Sequence, residues 1–319
     1  MRAISIRRFG APDGLELVEI PTPSPGAGEV VVEVAAAGVG GVDAAIRRGT
    51  LGTGFPVGMV PGGEVAGIVV EVGADVPRDW IGRRVWAHTG TSGGYAEYAT
   101  AGLEDVTPLP DGLAAASAVA LGSPATVAHF ALEHARFATG DSLLVRGAAG
   151  SIGIAAVEHA VRRRASTIAV TTSSPERGRR LRELGATEVL GRDGAGATAE
   201  KHDYDVIIDI VGGPQLPDFI DRLAPNGRLV LVGAVAGFPP PTFGLKLMES
   251  FSRSRSIAAF SLASVDPTAR GLARAEQFAA ALDGRLHPVV HATLPLEEAA
   301  TAHAEMDSGT VFGRIVLTP

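Results

Sequence analysis

The chain has 319 residues, of which 46% are hydrophobic and 20% charged, and its formal net charge is −7. This composition predicts a globular protein of about two domains with sizeable cores, and it excludes a disordered or fibrous chain. The sequence has no cysteine, which excludes disulfides, thiol nucleophiles, Fe–S clusters and thiolate metal sites. No block of Lys and Arg interrupts the acidic chain, so we expect no nucleic-acid partner.

The N-terminus alternates like a strand over residues 1–6 and lacks the apolar core of a signal peptide. No stretch approaches the ~18 consecutive apolar residues that a membrane span needs. We therefore expect a soluble, cytoplasmic protein without a membrane partner.

Up to about residue 120, short apolar runs alternate with Gly and Pro turns, a pattern typical of a β-barrel or sandwich. These runs lie at 29–34, 64–72, 83–87 and 94–98. From about residue 122, strand-like and helix-like segments alternate, which predicts an α/β fold with a parallel sheet between helices. The predicted strands are 141–146, 166–171, 205–209, 228–232 and 256–260, and the predicted helices are 152–164 and 175–184. Two helical stretches and a strand at 313–317 follow, and the Ala/Gly patch at 194–199 is predicted as a loop.

The strongest chemical signal is a glycine-spaced turn at 145–153, which follows a predicted strand, opens a predicted helix and precedes another strand. Glycines let a pyrophosphate approach the helix N-terminus, where amide N–H groups and the helix dipole bind phosphate. The motif therefore predicts a dinucleotide site, and the alternative is an ordinary strand-to-helix turn. The candidate cofactor-binding residues are Gly147, Ala148, Gly150, Ser151, Ile152 and Gly153.

The residues at the end of the next strand indicate whether the cofactor is NAD or NADP. NAD-binding proteins usually place a carboxylate there to hold the ribose hydroxyls, whereas this chain has Ser173, Ser174 and Arg177. Hydroxyls and a guanidinium bind a 2′-phosphate well, so we favour NADPH as the cofactor. The plainer interpretations are that Ser174 caps the helix beginning at Pro175 and that Arg177 belongs to a solvated basic face.

Six segments of the sequence form a pattern typical of one enzyme family: 37–43, 61–67, 93–97, 123–126, 147–153 and 311–317. Together they resemble the medium-chain dehydrogenase/reductase superfamily, in its zinc-independent quinone oxidoreductase (ζ-crystallin-like) branch, over essentially the whole chain. The resemblance implies a GroES-like β-rich catalytic domain at 1–122, completed by 268–319, and a Rossmann doubly wound parallel-sheet domain at 123–267. A substrate cleft is then expected between the domains, and the edge strand around 257–260 implies a homodimer.

The resemblance also bears on metal binding. Zinc-dependent relatives hold catalytic zinc with cysteine, histidine and an acidic residue, and the matching positions here are Gly40, Gly63, Gly122 and Glu64. Glycine has no ligating atom and tetrahedral zinc needs about three protein ligands, so we expect no metal site. Without a Lewis acid, alcohol oxidation is disfavoured, and reduction of a conjugated acceptor is the better hypothesis.

Further site residues are implied by the resemblance alone. Thr126 matches a threonine near the nicotinamide, although it could equally cap or line a helix. Gly40 and Ala45 replace an asparagine and a tyrosine often found beside the active site, which makes enone or enoyl reduction at least as good a hypothesis as quinone reduction. The positions that match cofactor contacts are Arg192, Val211, Gly233, Phe260, Leu262 and Arg314.

No side chain is an obvious catalytic acid. Asp43 begins a predicted helix four residues before Arg47, so an N-cap with an i,i+4 ion pair is the plain interpretation, and a polar pair in the cleft is the functional one. Tyr95 is either a hydrogen-bond donor to a reduced oxygen or an ordinary half-buried strand residue. The candidate catalytic residues are Asp43, Tyr95 and Thr126, and solvent can supply the second proton.

These observations favour an NADPH-dependent oxidoreductase that transfers hydride to a small-molecule quinone or α,β-unsaturated carbonyl compound. The alternative is an NADPH-binding structural or regulatory protein of the same fold with little turnover. A short-chain dehydrogenase would need a Tyr-x-x-x-Lys pair, and none of Tyr95, Tyr98 and Tyr204 has a lysine four residues later. A methyltransferase would normally place an acid after the second strand, which this chain lacks.

Overall fold

The computed structural model describes residues 1–52, 54–196 and 203–319. Within these residues the chain divides into two compact units. The first unit comprises Met1–Ser123 and Asp266–Pro319, and the second comprises Pro124–Val265. The first unit is therefore built from both ends of the sequence and the second from its middle.

The described residues form fifteen strands and eight α-helices. The strands are β1 (Arg2–Ile6), β2 (Leu15–Glu19), β3 (Glu29–Val39), β4 (Glu64–Val72), β5 (Arg84–His88), β6 (Tyr98–Gly102), β7 (Val106–Pro108), β8 (Ser142–Arg146), β9 (Thr167–Thr171), β10 (Glu188–Leu190), β11 (Tyr204–Asp209), β12 (Leu223–Leu231), β13 (Ser256–Ala259), β14 (Val290–Pro295) and β15 (Arg314–Thr318). The helices are α1 (Gly41–Arg48), α2 (Ala115–His134), α3 (Ser151–Arg162), α4 (Pro175–Glu183), α5 (Leu216–Ile220), α6 (Leu245–Glu249), α7 (Pro267–Leu282) and α8 (Ala299–Ser308).

The first unit is built on a seven-stranded sheet with the order β14-β15-β3-β4-β5-β7, in which β6 also pairs with β3. Neighbouring strands are antiparallel except for the parallel pair β14 and β15. Valine and isoleucine side chains of β3, β4, β5 and β15 form the core. Branched side chains suit a half-buried pleated surface, which explains why this valine-rich region folds as strands.

The segment 94–98 is not the strand that the sequence predicts. Pairing with β3 begins only with β6. Gly93 turns the chain with a φ of +91°, and Tyr95 then donates its N–H to the Pro61 carbonyl (2.9 Å) and accepts the Ile4 N–H (2.8 Å). Bonds to the Pro61 loop and to strand β1, whose Ala3 forms an isolated antiparallel bridge with Ala96, therefore fix Tyr95.

The second unit is built on a six-stranded sheet with the order β10-β9-β8-β11-β12-β13, and all of its pairs are parallel. Three of its four inner strands, β8, β9 and β11, are almost entirely buried, as expected for a parallel sheet covered on both faces. This sheet confirms the predicted α/β fold class. The strand order reverses between β8 and β11, and the carboxyl ends of strands at such a switch point are where α/β sheets bind ligands.

Four short strands, β2, β7, β10 and β14, escape the sequence analysis. Strands β7 and β10 have only three residues each, and β2 and β14 consist mostly of half-buried and exposed residues, so none of the four contains a long buried run. Residues 197–199 of the predicted loop at 194–199 lie outside the described residues.

Helix α2 meets the length and composition of a membrane span, and it is the one helix in the described part of the chain that does so. More than half of its most apolar stretch is buried within the fold. A core helix of a globular protein has the same length and composition, so this helix is weak evidence for a membrane span.

Candidate active site

The glycine turn of the second unit joins β8 to α3. Gly147 follows β8 with a φ of +86°, and its N–H donates to the Thr171 hydroxyl (3.1 Å) at the end of β9. Gly150 is the N-cap of α3, and a Cβ placed on it would meet no atom closer than 4.0 Å. The first N–H groups of a helix lack acceptors within it, and the open space at Gly150 lets an anion approach them.

Gly153 has a different role in the same turn. A Cβ on Gly153 would lie 2.5 Å from the Ala148 Cα and 2.8 Å from the Gly147 carbonyl oxygen, so this glycine lets α3 pack closely on the turn. Ala148 is fully buried, whereas Ser151 and Ile152 are partly exposed in the first turn of α3. The predicted motif thus divides into residues that hold the turn closed and residues that border open space.

A buried ion pair lies directly before the glycine turn, at the carboxyl ends of β8 and β11. Arg146 Nη1 donates to Asp209 Oδ2 (2.9 Å) and to the Gly212 carbonyl (2.7 Å), and its guanidinium lies 4.2 Å from the centre of the Phe219 ring. Asp209 Oδ1 accepts the N–H groups of Val211 (2.8 Å) and Gly212 (3.0 Å). Both side chains are almost fully buried, so each charge depends on the other.

Val211 and Gly233, two of the predicted cofactor contacts, lie on loops that are bonded to each other. The Ala236 N–H donates to the Val211 carbonyl (2.8 Å), and a Cβ on Gly233 would lie 2.6 Å from the Ile210 carbonyl oxygen. A Cβ on Gly147 would lie 2.9 Å from Val211 Cγ2, so the glycine turn packs directly on the first of these loops. The sheet therefore brings the turn and both loops to one edge.

The residues predicted to bind a 2′-phosphate lie at the end of β9. Arg177 Nη2 donates to Ser173 Oγ (3.1 Å), so these two side chains lie together. Ser174 Oγ accepts the Arg177 N–H (3.3 Å) and caps α4, as the plainer interpretation requires, and its hydroxyl hydrogen remains available to an anion. Arg192 is exposed and follows β10, which pairs in parallel with β9, so it lies at the same edge of the sheet.

Three further predicted site residues of the second unit lie on other elements. Thr126 is a fully buried residue of α2. Phe260 follows β13, donates its N–H to the Leu231 carbonyl (2.9 Å) and packs its ring 5.6 Å from that of His134. Leu262 begins the short 3-10 turn that comes next.

A buried charged cluster in the first unit is centred on Glu64 and Arg314. Glu64 begins β4 and Arg314 begins β15, and Arg314 Nη2 donates to Glu64 Oε1. The other oxygen of Glu64 accepts from Trp86 Nε1 (3.0 Å) and from the Ser123 N–H (3.1 Å). Glu64 is 2% exposed and both of its oxygens are occupied, which leaves it little capacity to ligate a metal.

Glycines provide the space that Arg314 and Trp86 occupy. A Cβ on Gly38 would lie 2.8 Å from Arg314 Nη2, and one on Gly40 would lie 3.2 Å from Arg314 Nη1. A Cβ on Gly122 would overlap Trp86 Nε1. The guanidinium and the indole therefore fill volume that side chains at these three positions would need.

Asp43 lies beside this cluster, in the first turn of α1. Its Oδ2 accepts the Gly40 N–H (2.7 Å), so the carboxylate caps the helix. Burial raises the pKa of Asp43 to about 6, although the nearby Arg314 guanidinium and the Gly40 N–H both favour the charged form. A carboxylate kept in the interior at this cost in free energy is a candidate functional group.

The predicted ion pair between Asp43 and Arg47 is wrong. Because the Asp43 carboxylate turns back to the helix N-terminus, Arg47 pairs instead with Asp307 at the end of α8, and its Nη2 lies 2.7 Å from each carboxylate oxygen. Arg47 is 1% exposed, and its Nε donates to His303 Nδ1 (3.3 Å).

Tyr95 is brought next to Asp43. Its hydroxyl faces the Asp43 carboxylate and lies 3.2 Å from His303 Nε2. Burial and the neighbouring carboxylate raise the pKa of Tyr95 well above its usual value, so the hydroxyl stays protonated. Two of the three predicted catalytic residues thus lie together in the first unit, while Thr126 belongs to the second.

Sequence reasoning misses several residues of these sites. Arg146 directly precedes the glycine motif and Asp209 ends a predicted strand. Opposite charges at the ends of two predicted parallel strands could therefore have predicted this ion pair. His303 has no such signal, because its neighbours in the sequence resemble those of any helical histidine. His88 ends β5 and stacks against Trp86 with ring centres 6.4 Å apart.

The two units, with a glycine turn at the switch point of the parallel sheet, define an oxidoreductase with a GroES-like domain and a Rossmann domain. Residues 26–111 match the family described as alcohol dehydrogenase GroES-like domain, and residues 184–317 match the zinc-binding dehydrogenase family. The quinone oxidoreductase of Lama guanicoe is 33% identical over 332 residues, which cover 99% of this chain and 97% of that protein. The quinone oxidoreductase of Pseudomonas aeruginosa is 30% identical over 329 residues, 100% of this chain and 99% of that one.

Solved structures agree with these sequence matches. Mycobacterial Rv1454c complexed with NADPH has a TM-score of 0.90 at 26% identity, with full coverage of both chains. The quinone oxidoreductase of Coxiella burnetii has a TM-score of 0.87 at 25% identity, with 100% and 99% coverage. The chain therefore belongs to the medium-chain dehydrogenase/reductase superfamily, in its quinone oxidoreductase (ζ-crystallin-like) branch.

The residues of this chain do not fit the zinc ion that the name of one matching family implies. Gly40, Gly63 and Gly122 carry no ligating atom, and Glu64 is bound on both oxygens. In the ranges that the structure describes, no three His, Asp or Glu side chains form a group that could hold a metal ion. We therefore derive no chemical step through a metal.

The raised pKa of Asp43 makes stability depend on pH in a defined direction. The folded state binds this proton up to about pH 6, whereas an unfolded aspartate releases it near pH 4, so the contribution of Asp43 to stability falls as pH rises between these values. We expect Asp43→Asn to gain about 2 kcal/mol relative to the wild type between pH 4.5 and pH 7, measured by urea unfolding.

The control for this experiment is Glu104→Gln, which removes an exposed carboxylate of the same unit. The difference in stability between Glu104→Gln and the wild type should stay constant over the same pH range. A constant difference for Asp43→Asn as well would contradict the assignment of a raised pKa to Asp43.

Proposed function

We propose that this protein is a zinc-independent, NADPH-dependent reductase of quinones or α,β-unsaturated carbonyl compounds. The observation that carries the proposal is the replacement of three metal-ligand positions by glycines, with Arg314 filling the space at Gly40 and Trp86 the space at Gly122. An acceptor that needs no Lewis acid, because conjugation already makes it electron-poor, suits such a site. The full-length similarity to quinone oxidoreductases supports the same class of acceptor.

The residues at the carboxyl edge of the parallel sheet fit a dinucleotide. The first N–H groups of α3 and the open space at Gly150 suit a pyrophosphate, and a likeness to an NADPH complex supports the identity of the cofactor. NADPH supplies a hydride when it is bound. The residues that would hold it are Gly147, Ala148, Gly150, Ser151, Ile152, Gly153, Ser173, Ser174, Arg177, Arg192, Val211, Gly233, Phe260, Leu262 and Arg314.

The preference for NADPH over NADH rests on the end of β9. Arg177 and Ser173 lie together there, and the strand ends in threonines and serines with no carboxylate to repel a 2′-phosphate. A guanidinium and a phosphate form charge-assisted hydrogen bonds. NADH offers no group that would use this arginine.

Either class of acceptor takes a hydride on carbon and a proton on oxygen or carbon. Asp43 and Tyr95 are the candidate proton-handling groups, and the Arg314 guanidinium beside Asp43 is the positive charge that would stabilise an anionic oxygen. A Cβ at position 40 would lie 3.2 Å from both Arg314 Nη1 and Asp43 Oδ2, so the glycine lets these two groups lie close to the backbone there. Positions 40 and 45 carry no polar side chain that would select a quinone, so an enoyl thioester is the second candidate acceptor. At 30% identity, 98% of this chain also matches 15% of a mycocerosic acid synthase-like polyketide synthase of Mycolicibacterium smegmatis.

Turnover is tested by following NADPH oxidation against quinones, enones and enoyl thioesters, with NADH in parallel and a chelator present. We expect one acceptor class to be reduced, with a preference for NADPH and no effect of chelator. Gly150→Val should abolish turnover because its side chain fills the space meant for the pyrophosphate, while circular dichroism shows an intact fold. Gly271→Val, on an open part of α7, is the matched control and should retain activity.

Tight NADPH binding without turnover of any acceptor would overturn the reductase proposal in favour of a nucleotide-binding structural or regulatory protein. Unchanged cofactor affinity in Gly150→Val would contradict the phosphate site itself.

Arg177→Ala tests the choice of cofactor. We expect the variant to bind NADPH about 1–3 kcal/mol more weakly, because a charge-assisted bond to the 2′-phosphate is lost, and to bind NADH as before. Isothermal titration calorimetry measures both affinities. Arg179→Ala removes an exposed arginine from the same helix, and an equal loss in that control would assign the effect to the general basic surface.

We also propose that two copies of the chain associate through β13. This strand is the edge of the six-stranded sheet, and an unpaired edge is a template for another strand. The preceding segment exposes apolar side chains, with Phe238 76%, Met248 65% and Phe251 76% exposed, more than a monomer surface usually tolerates. A second copy would cover both features.

Analytical ultracentrifugation checks this assembly. We expect a species of twice the 32.6 kDa chain mass at micromolar concentration, and the double variant Met248→Asp/Phe251→Asp should shift it to monomer while leaving unfolding cooperative. A wild-type protein that sediments as a monomer would contradict the proposed dimer.

A further inference from the structure

Four buried side chains form one chain of polar contacts through the first unit. Arg47 Nε lies 3.3 Å from His303 Nδ1, and His303 Nε2 lies 3.2 Å from the Tyr95 hydroxyl. The same hydroxyl also faces the Asp43 carboxylate. All four residues are less than 5% exposed, so each polar atom depends on its protein partner.

The Arg47 guanidinium sets the direction of the donors from His303 to Tyr95. A guanidinium N–H only donates, so His303 Nδ1 is an acceptor and carries no proton. The one proton of the neutral ring is then on Nε2, which donates to the Tyr95 oxygen. The Tyr95 hydroxyl hydrogen is thereby directed to the Asp43 carboxylate.

The protonation state of His303 agrees with this direction. Burial, with the Arg47 charge adding to it, lowers the pKa of His303 to about 3. The ring is therefore neutral at any working pH and does not become a second cation beside Arg47. Only the choice of tautomer remains, and the Arg47 Nε–H settles it.

Arg47 itself is held firmly in place. Its Nη2 binds both oxygens of Asp307, and its Nη1 donates to the Gly10 carbonyl. Arg48 binds the same aspartate from the surface. The start of the chain of contacts is thus anchored between α1 and α8, and Arg47 cannot turn away from His303 without leaving a buried charge unpaired.

We infer that Arg47 and His303 are positioning residues, which select one histidine tautomer so that the Tyr95 hydroxyl donates to Asp43 and keeps that carboxylate anionic beside Arg314. The role of the anion in turnover rests on the proposed reductase function. The tautomer and the direction of the hydrogen bonds do not depend on it.

Opposing interactions set the protonation of the Asp43 carboxyl, so a single donor such as the Tyr95 hydroxyl affects it. The groups that face its carboxylate are Arg314 from β15, Glu64 from β4, the Gly40 N–H and the Tyr95 hydroxyl. Burial and Glu64 favour the neutral acid, whereas the other three favour the anion. Loss of the Tyr95 donor therefore shifts Asp43 towards its neutral form, and a neutral Asp43 no longer attracts the Arg314 guanidinium.

The first experiment measures the tautomer without any substrate. The protein is labelled with ¹⁵N at its histidine rings, and the His303 signals are assigned by their loss in His303→Gln. We expect an unprotonated Nδ1 and a protonated Nε2 from pH 5 to pH 8. A protonated Nδ1, or a ring that titrates within this range, would overturn the inference.

The second experiment follows the carboxyl carbon of Asp43 by ¹³C NMR and the acid limb of kcat/KM. Tyr95→Phe and His303→Leu should raise the Asp43 pKa and move the acid limb upward by about one pH unit, a tenfold loss at low pH. His303→Gln is the matched control, because its amide offers an acceptor to Arg47 and a donor to Tyr95, so it should retain the wild-type profile.

A merely structural His303 would lower thermal stability in both variants and leave the pH profile unmoved, which contradicts the inference. Tyr95→Phe keeps the shape of the ring, so it provides the test if His303→Leu does not fold. If no acceptor is reduced, the proposed function fails, while the Asp43 titration still decides the present inference.

Discussion

The buried Arg314 guanidinium is the charge around which the first unit is arranged. A cation that is about nine-tenths removed from water must be compensated inside the protein. Glu64 supplies the direct partner and Asp43 a second carboxylate nearby. Glycines at 38 and 40 let the guanidinium lie against the backbone of β3. The carboxylates compensate the Arg314 charge and the glycines give the guanidinium space. This requirement explains why several polar groups lie together at the end of one sheet.

The second unit also contains a buried arginine whose charge is compensated by a carboxylate. Arg146 and Asp209 neutralise each other at the ends of two neighbouring parallel strands, and they use their remaining atoms to hold the loop around Val211. That loop packs on Gly147 of the glycine turn. The ion pair thus gives a fixed shape to a region made mostly of glycine, whose backbone would otherwise have many conformations.

Much of the fold follows from the sequence because it depends on local patterns. The alternation of strands and helices and the spacing of Gly147, Gly150 and Gly153 act over short distances, and the structure confirms the fold class and the turn. The segment around Tyr95 and the pairing of Arg47 fail because partners far away in the sequence decide them. Tyr95 lies in a strand-like run but donates its N–H to the Pro61 carbonyl. Arg47 follows Asp43 by four residues but binds Asp307 in α8. The role of His303 cannot be predicted from the sequence for the same reason, because only the fold shows what its two ring nitrogens contact.

The indole of Trp86 gives the absence of ligand side chains a further meaning. It lies against Gly122 so closely that even a methyl group there would overlap it, and its other face packs 3.8 Å from the Arg274 guanidinium. Restoring a ligand at that position would require the tryptophan to leave its place, and with it the hydrogen bond to Glu64 and the stacked arginine. Metal chemistry at this site would thus need several coordinated replacements.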